Sequence, residues 1–529
     1  MKRIYKITQV ALFGAFIVGC TDLDTAPLSS TITADQKEDV VAADPSKIEA
    51  SVTAITANFT QYAKIYTEDD NVHSDIGYPT IMLATDSRTT DFVADITGYN
   101  WYSNSANYSD CLSTSTATIE FWGTLYNQIY TANAVIGTVD NETSDSTLQF
   151  YLAQALAIRA FDYFTLVQLY QFNYKGHEDA PGVPIITSEN AEEVAANGCA
   201  RSTVKETYEF ILGDLNKAIE LLANTKKTRS DKRYVSLDVA YGIRARVHLT
   251  MHNYADALKD AEAALASTSS VPYSSAAVSK PTFIDIEDAS WMWGILITDK
   301  DRVSTTGICN FPSHMGSLNY GYASVGGWRR ISPKLYNLIP ESDVRKGWFL
   351  DDTGVSVNLP AAAQAYITKK GAPVYTQVKY GPMNDEWGSN NNATDVILMR
   401  VEEMYLIKAE AQAMNNDVSG GVNTLNSFVN TYRDPSYKCT ATTGEAVQEA
   451  VWHQRRIEFW GEGLAYFDIM RLNKGVNRLG CGFPKTAVFN IAAGDPVQIY
   501  SIPNKEVQYN PLLENNPLVS APTPIPDEE

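Results

Sequence analysis

Cysteine is scarce in this chain. The six residues, Cys20, Cys111, Cys199, Cys309, Cys439 and Cys481, stand far apart and none forms C-x-x-C. That spacing argues against a disulfide framework and leaves at most an isolated bridge. Long apolar runs are also lacking. The one short run, Val10 to Val18, falls well below the roughly 20 residues a membrane-spanning helix needs. Catalytic signatures are missing: there is no H-E-x-x-H, no G-x-S-x-G, no Walker loop and no strand-bound G-x-G-x-x-G. Basic residues are outnumbered, 42 against 62 acidic, for a net charge of -20. Such a balance argues against nucleic acid, whose phosphates it would repel. It argues equally against adsorption of the protein surface itself to anionic lipid.

What is present begins at the amino terminus. Lys2, Arg3 and Lys6 precede the apolar run, the pattern of a secretory signal. The run ends in Val18-Gly19-Cys20, which resembles the bacterial lipobox. Residues 1–19 then read as a lipoprotein signal peptide and Cys20 as the lipidated residue. Several acyl chains, at about 0.8 kcal/mol per buried methylene, would hold the protein to a membrane. Asp22 and Asp24 resemble the surface-export signal of Bacteroidetes lipoproteins. Cleavage removes three basic residues and no acid, leaving 39 basic against 62 acidic residues.

Residues 20–44 are small and polar and read as a flexible tether. From Pro45 a 3.6-residue apolar period predicts helices, giving a helical part over 45–270. The segment Ala240 to Leu265 ("AYGIRARVHLTMHNYADALKDAEAAL") resembles a tetratricopeptide unit, with Tyr241, Ala245, Tyr254, Ala257 and Ala264 at its signature positions. Similar helices are expected over Phe150–Tyr170, Val204–Leu222 and Val401–Met414. Their irregular spacing predicts a degenerate, interrupted superhelix. The remainder, 271–529, is rich in loops with short strands, and its central stretch crowds Gly, Pro, Ser, Asn and aromatics together. Long irregular segments in compact proteins are usually functional surfaces. The tail from Pro511, with five prolines, is expected to lie extended along the surface. The fold class is therefore mostly α: a tetratricopeptide-like superhelix packed with a loop-rich carboxy-terminal part.

Four segments carry a family resemblance: "AIRAFDYFTLVQLY…PGVPII", "LMRVEEMYLIKAEA", "RRIEFWGEGLAYFDIMR" and "YSIPNKEVQYNPLLENNP". In this order, and with the lipobox, the chain resembles the SusD/RagB family of Bacteroidetes surface glycan-binding lipoproteins. The resemblance implies an outer-membrane lipoprotein that binds oligo- or polysaccharide without cleaving it. It further implies delivery to a SusC-type TonB-dependent transporter, with the membrane contacted through the lipid alone. A surface-anchored helical glycoside hydrolase and a tetratricopeptide-type peptide scaffold are the alternatives. Hydrolysis would need two carboxyl groups flanking a sugar-sized cleft. The helices do hold many acids, but Arg400, Glu403, Glu410, Arg455, Arg456, Glu458, Glu462, Asp468 and Arg471 interleave charges. Arginines so placed hold carboxylates ionised and predict structural ion pairs.

Sugar recognition without catalysis needs flat aromatic platforms beside fixed hydrogen-bonding groups. Two loop-like clusters meet that description. One is Tyr99, Asn100, Trp101 and Tyr102; the other is Tyr320, Tyr322, Trp328 and Arg329. In the resembled family, loops from these two parts of the chain meet on one face. Trp101 and Trp328 lead, Trp291, Trp293, Trp348 and Trp387 follow, and Trp122, Trp452 and Trp460 read as helix core. No cofactor is expected. Asp69, Asp70 and Asp75 offer hard oxygen ligands for calcium, with a solvated loop as the default. His248 and His252 stand four apart, a metal-compatible spacing, yet lack a partner Glu and read as a solvated face. Gly461-Glu462-Gly463 reads as a helix irregularity.

Overall fold

The computed structural model describes residues 34–62, 72–305 and 307–527. Cys20 and the signal segment lie outside those residues. The last part of the expected tether is ordered differently from the expectation: Ala34–Ala43 is a helix.

Antiparallel helix pairs build the frame. Thr116–Ile136 packs on Ser146–Tyr170, and that helix packs on Val204–Asn224. Leu237–Thr250 then pairs with Tyr254–Ser267. Side chains on the backbone start several of these helices. The Asp145 carboxylate accepts from Thr147 N (2.8 Å) and Leu148 N (2.9 Å), and Thr203 with Glu206 forms a capping box. Every residue from Phe150 to Tyr170 is buried, so this central helix is surrounded on all sides. Ala257, Ala261 and Ala264 are fully buried and let the tetratricopeptide-like pair approach closely.

The next layer comes from far along the chain. Tyr254–Ser267 packs directly against Val401–Met414, which packs on Val418–Tyr432 and Gly444–Glu458. Everything between Ser267 and Val401 is thus an excursion from one helical array. The strand Trp291–Ile295 pairs antiparallel with Val396–Arg400 and holds the two ends of the excursion together. This strand is buried on both faces. Trp291 Nε1 donates to Tyr273 Oη (2.7 Å) and Trp293 Nε1 to the Arg233 carbonyl (3.0 Å). Trp348 Nε1 donates to the Val278 carbonyl (2.8 Å). These three tryptophans are core, not platform; the apolar run around Trp291 and Trp293 is that of a strand covered on both sides, and Trp348 ends the short helix Val344–Trp348.

Ion pairs without solvent fasten the excursion to the frame. Glu458 meets Arg433 (2.7 Å), Arg400 (3.1 Å) and Arg345 (3.2 Å). Glu462 meets Arg400 (2.8 Å) and Lys379 (2.5 Å). Arg345 and Lys379 belong to the excursion, while Arg433 and Glu458 belong to the helices. A second web joins Arg246 to Glu403 (2.5 Å), Arg455 to Asp468 (2.7 Å) and Arg471 to Glu410 (2.6 Å). Burial alone would raise the Glu458 carboxyl, but the three guanidiniums hold it well below the ordinary carboxylate range. The interleaved charges are structural pairs, as expected. The turn Gly461–Gly463 joins two helices with both glycines at positive φ (78° and 73°). A Cβ on Gly461 would sit 2.0 Å from Met315 Cε. Beyond it the tail runs without helix from Pro511 and is clasped by Asn516, which donates to the Tyr170 and Tyr500 carbonyls (both 2.8 Å). None of the described helices is long and apolar enough to cross a membrane.

Removing the Glu458 carboxylate strands three buried guanidiniums. Glu458→Ala is expected to lose about 3–5 kcal/mol in denaturant unfolding, while Glu209→Ala, from the exposed Lys205–Glu209 pair, loses nothing measurable. Asp162 offers a pH test. Its carboxyl is buried in the central helix with no hydrogen-bond partner, and burial raises its pKa well above the ordinary value. The native state therefore keeps a proton that the unfolded chain releases, and stability falls as pH rises through that window. Asp162→Asn is expected to melt near wild type at pH 4 and above it at pH 8. Parallel melting curves at both pH values would refute the assignment.

Candidate functional site

The two aromatic loops meet because of one short strand pair. Phe92–Ala94 runs antiparallel to Arg329–Ile331, with Phe92 opposite Ile331 and Ala94 opposite Arg329. The chain leaving Ala94 and the chain entering Arg329 emerge at the same end. Their backbones then touch. The Thr97 hydroxyl donates to the Gly326 carbonyl (3.3 Å). Gly326 has φ +139°, and a Cβ there would approach Tyr99 Cδ2 to 2.8 Å. On Gly327 it would meet the Tyr99 carbonyl at 2.8 Å.

Beneath the loops lies a buried clamp. Arg329 Nη1 donates to Asn100 Oδ1 (2.8 Å) and its Nε to the His314 carbonyl (2.8 Å). Asn100 Oδ1 also accepts from Tyr102 N (3.1 Å), and Asn100 Nδ2 donates to the Asp95 carbonyl (3.0 Å). The Tyr102 hydroxyl donates to the Ser74 carbonyl (3.3 Å). Burial lowers the Arg329 guanidinium to about 10, which still leaves it charged at neutral pH.

Rings rest on this clamp. His73 stacks on Trp101 (4.8 Å between centroids, 22° between planes), and Tyr322 meets Trp101 edge-on (6.1 Å, 64°). His314 stacks under Tyr322 (5.0 Å, 18°). His73 Nδ1 is hydrogen-bonded to the Tyr322 hydroxyl, and His314 Nε2 to the His73 carbonyl (2.9 Å). Burial lowers His73, and burial with Arg329 nearby pushes His314 down to about 3, so both imidazoles are neutral at pH 7. Trp101 keeps 37% of its surface exposed, Tyr99 50% and Tyr320 47%, and Tyr322 is half-buried. The site is thus an aromatic ledge of partly exposed rings above a buried polar support. Two acids packed into the interior below, Asp75 and Glu120, are buried. Burial, with Asp75 adding to it, pushes Glu120 well above the ordinary range.

The eight residues singled out from the two loops divide into two groups. Tyr99, Trp101, Tyr320 and Tyr322 reach the surface. Asn100, Tyr102, Trp328 and Arg329 do not. Trp328, 7% exposed, plugs a satellite core with Leu318, Leu350, Ile367 and Val378. Asn100 and Arg329 are instead the supports of the exposed rings. Trp387, half-buried, packs against that same satellite core. His73 and His314 were not anticipated. Their only signal is a loop-like setting, which His177 shares.

Among the acids offered for calcium, Asp69 and Asp70 lie outside the described residues. Asp75 is buried and accepts from Gln61 Nε2 (2.5 Å). Among the described residues no group of three or more His, Cys, Asp or Glu converges on a metal position. His248 is not on a solvated face: it turns inward, 3.8 Å from Asp260. His252 Nε2 is occupied by the Arg471 carbonyl (2.9 Å).

Comparison with known proteins agrees with this architecture. A family model described as starch-binding and associating with outer membrane (SusD-like_3) matches residues 35–249. A second, described as the SusD family (SusD_RagB), matches residues 353–518. SusD-like protein P2 of Formosa agariphila is 25% identical over 392 residues, covering 67% of this chain and 72% of its own length. SusD-like protein P38 of the same organism is 22% identical over 68% of this chain and 73% of its own. A SusD superfamily protein from Bacteroides thetaiotaomicron superimposes with TM-score 0.73 at 22% identity, covering 89% of this chain and 99% of that one. A SusD-like carbohydrate binding protein from Bacteroides vulgatus gives 0.71 at 23%, covering 88% and 96%.

The clamp makes a direct prediction. Asn100→Ala removes the acceptor of a buried guanidinium, so a loss of about 1–3 kcal/mol in stability is expected, with an altered near-ultraviolet circular dichroism spectrum. An unchanged spectrum and melting curve would show that Asn100 does not hold the ledge.

Proposed function

The chain belongs to the SusD/RagB family, and from that premise we propose that it is a non-enzymatic glycan receptor of the outer membrane. Cys20 carries the lipid anchor, and the ledge faces outward from the cell. Saccharide chains dock their C–H faces on Trp101, with Tyr99, Tyr320 and Tyr322 beside it. They then pass to a SusC-type TonB-dependent transporter for which this protein acts as a lid.

One observation carries the reading: Trp101 stays exposed while the groups beneath it, Asn100, Tyr102, His314 and Arg329, are buried and mutually bonded. A ring held this way loses little conformational entropy on binding, and rigid platforms bind better for that reason. Neutral imidazoles add no charge at the ledge and leave the stacking face to the sugar ring. Hydrolysis finds no support at the ledge. Asp75 and Glu120 are packed away below it, and Glu458 and Glu462 are locked by cations in the interior. The helical repeats serve as frame, since their small residues are spent against one another.

Affinity electrophoresis against a polysaccharide panel tests the platform. Trp101→Ala is expected to weaken the retained glycan by roughly thirtyfold, about 2 kcal/mol, without loss of fold. Trp328→Ala is expected to destabilise the protein instead. Equal retention of wild type and Trp101→Ala would overturn the proposal, as would release of sugar from the polymer. Cys20→Ala is expected to leave the membrane fraction.

A further inference from the structure

A second concavity is linked to the aromatic ledge through hydrogen bonds. It is a groove of about 620 Å³ whose lining includes Thr53, Thr56, Tyr62, Arg233, Asp301 and Arg302. Arg302 opens the one-turn helix Arg302–Thr305, and that helix is tied to the ledge. Asn310 Nδ2 donates to the Val303 carbonyl (2.8 Å), while its Oδ1 accepts from Ser313 N (2.9 Å), one residue before His314. Ser313 Oγ accepts in turn from Tyr322 N (3.2 Å). Asn392 Nδ2 spans the Gly307 carbonyl (2.7 Å) and the Tyr320 carbonyl (3.4 Å). Hydrogen bonds through Asn310 and Asn392 thus join the segment beside the groove to the segment that carries Tyr320 and Tyr322.

The groove differs from the ledge in charge. The Arg302 guanidinium carbon lies 4.2 Å from the centre of the Tyr62 ring, a cation–π arrangement that orients its donors. Arg302 is exposed and makes no ion pair among the described residues. Its neighbour Asp301 is occupied, accepting from Thr298 N (2.6 Å) and Thr298 Oγ1 (3.0 Å). Arg233 is neutralised by Asp231 (2.9 Å). The Arg302 guanidinium, without an ion-pair partner among the described residues, thus faces a roomy groove whose lining carries two arginines and one aspartate, in a protein whose net charge is -20. That overall acidity does not cancel it at contact range, because the screening length is about 8 Å at physiological ionic strength. A planar guanidinium is suited to bidentate recognition of an anionic oxygen pair.

We propose that this groove is an additional subsite and that the glycan bound at the ledge carries anionic groups, carboxylate or sulfate ester, one of which pairs with Arg302. The inference rests on the glycan-receptor reading and adds the substrate class to it. Aromatic stacking then supplies the sequence-tolerant part of the affinity and Arg302 the selection for charge.

Native gels containing polygalacturonate, carrageenan or laminarin test it, supplying a carboxylate, a sulfate ester and a neutral polymer. Wild type is expected to be retained by at least one charged polymer. Arg302→Gln is expected to weaken that retention about tenfold while melting like wild type, because the residue is exposed. Trp101→Ala is expected to weaken it by the same roughly thirtyfold as above. Loss confined to the polygalacturonate arm assigns a uronate; loss confined to the carrageenan arm assigns a sulfate ester. If Arg302→Gln binds the charged polymers as wild type does, or if only laminarin retains wild type, the anionic subsite is overturned and the receptor reading stands. If no polymer retains wild type, both fall.

Discussion

Glu458 is a carboxylate with three guanidiniums around it and no access to water, and the architecture depends on that arrangement. Desolvating any one of these ions alone would cost several kcal/mol. Each is tolerable only because the others are in place. The partners come from both parts of the protein: Arg345 from the excursion, Arg400 at its return, Arg433 and Glu458 from the helices. The web therefore reports whether the excursion is seated on the frame. A slip of one helix would leave unpaired charge in the interior. The register is fixed by that penalty more than by hydrophobic burial, which is indifferent to small slides.

Seating the excursion in turn places the ledge. The strand pair Phe92–Ala94 and Arg329–Ile331 is only three residues long on each side, too short to be stable by itself. It persists because Phe92 stacks on Trp460 (4.9 Å) and Trp460 Nε1 donates to the Asp91 carbonyl (2.9 Å), so the pair lies against the end of the helical frame. Asp91 is held on its other side by Arg456 (2.6 Å). From Glu458 to Trp101 the chain of contacts is continuous and mostly buried. This explains how a ring on an exposed loop can be fixed without either of the long helices reaching the surface beside it.

Much of the frame was legible in the amino-acid sequence, for a physical reason. Val401–Met414 and Phe150–Tyr170 announce themselves because helix-forming composition is a local property: long runs rich in Ala, Leu, Ile and Phe without Gly or Pro. Positions Ala257, Ala261 and Ala264 likewise predicted close helix contact, and they are fully buried. The structural role of the interleaved Arg and Glu residues was legible too, since cations beside acids argue against a raised pKa. What was not legible depends on long-range packing. Trp101 and Trp328 sit in similar glycine-flanked contexts, yet one is exposed and the other plugs a satellite core. The difference is made by Leu350, Ile367 and Val378, residues far away along the chain. Trp291 and Trp293 are core rather than platform, and the local signal for it is the uninterrupted run WMWGI, that of a doubly covered strand. The histidines beneath the platform carry no periodic signal, because His73 stands in a turn and His314 in the five-residue helix Phe311–Met315, both placed by tertiary contacts.

The account stands on an outward-facing ring that accepts a sugar and leaves it intact. The most direct measurement is a crystal structure of the protein with the oligosaccharide that retains it most strongly in a gel. The account predicts an uncleaved chain with a pyranose or furanose face lying parallel to the Trp101 indole. A ligand bound elsewhere on the protein, or density for a shortened product between two carboxylates, would contradict it.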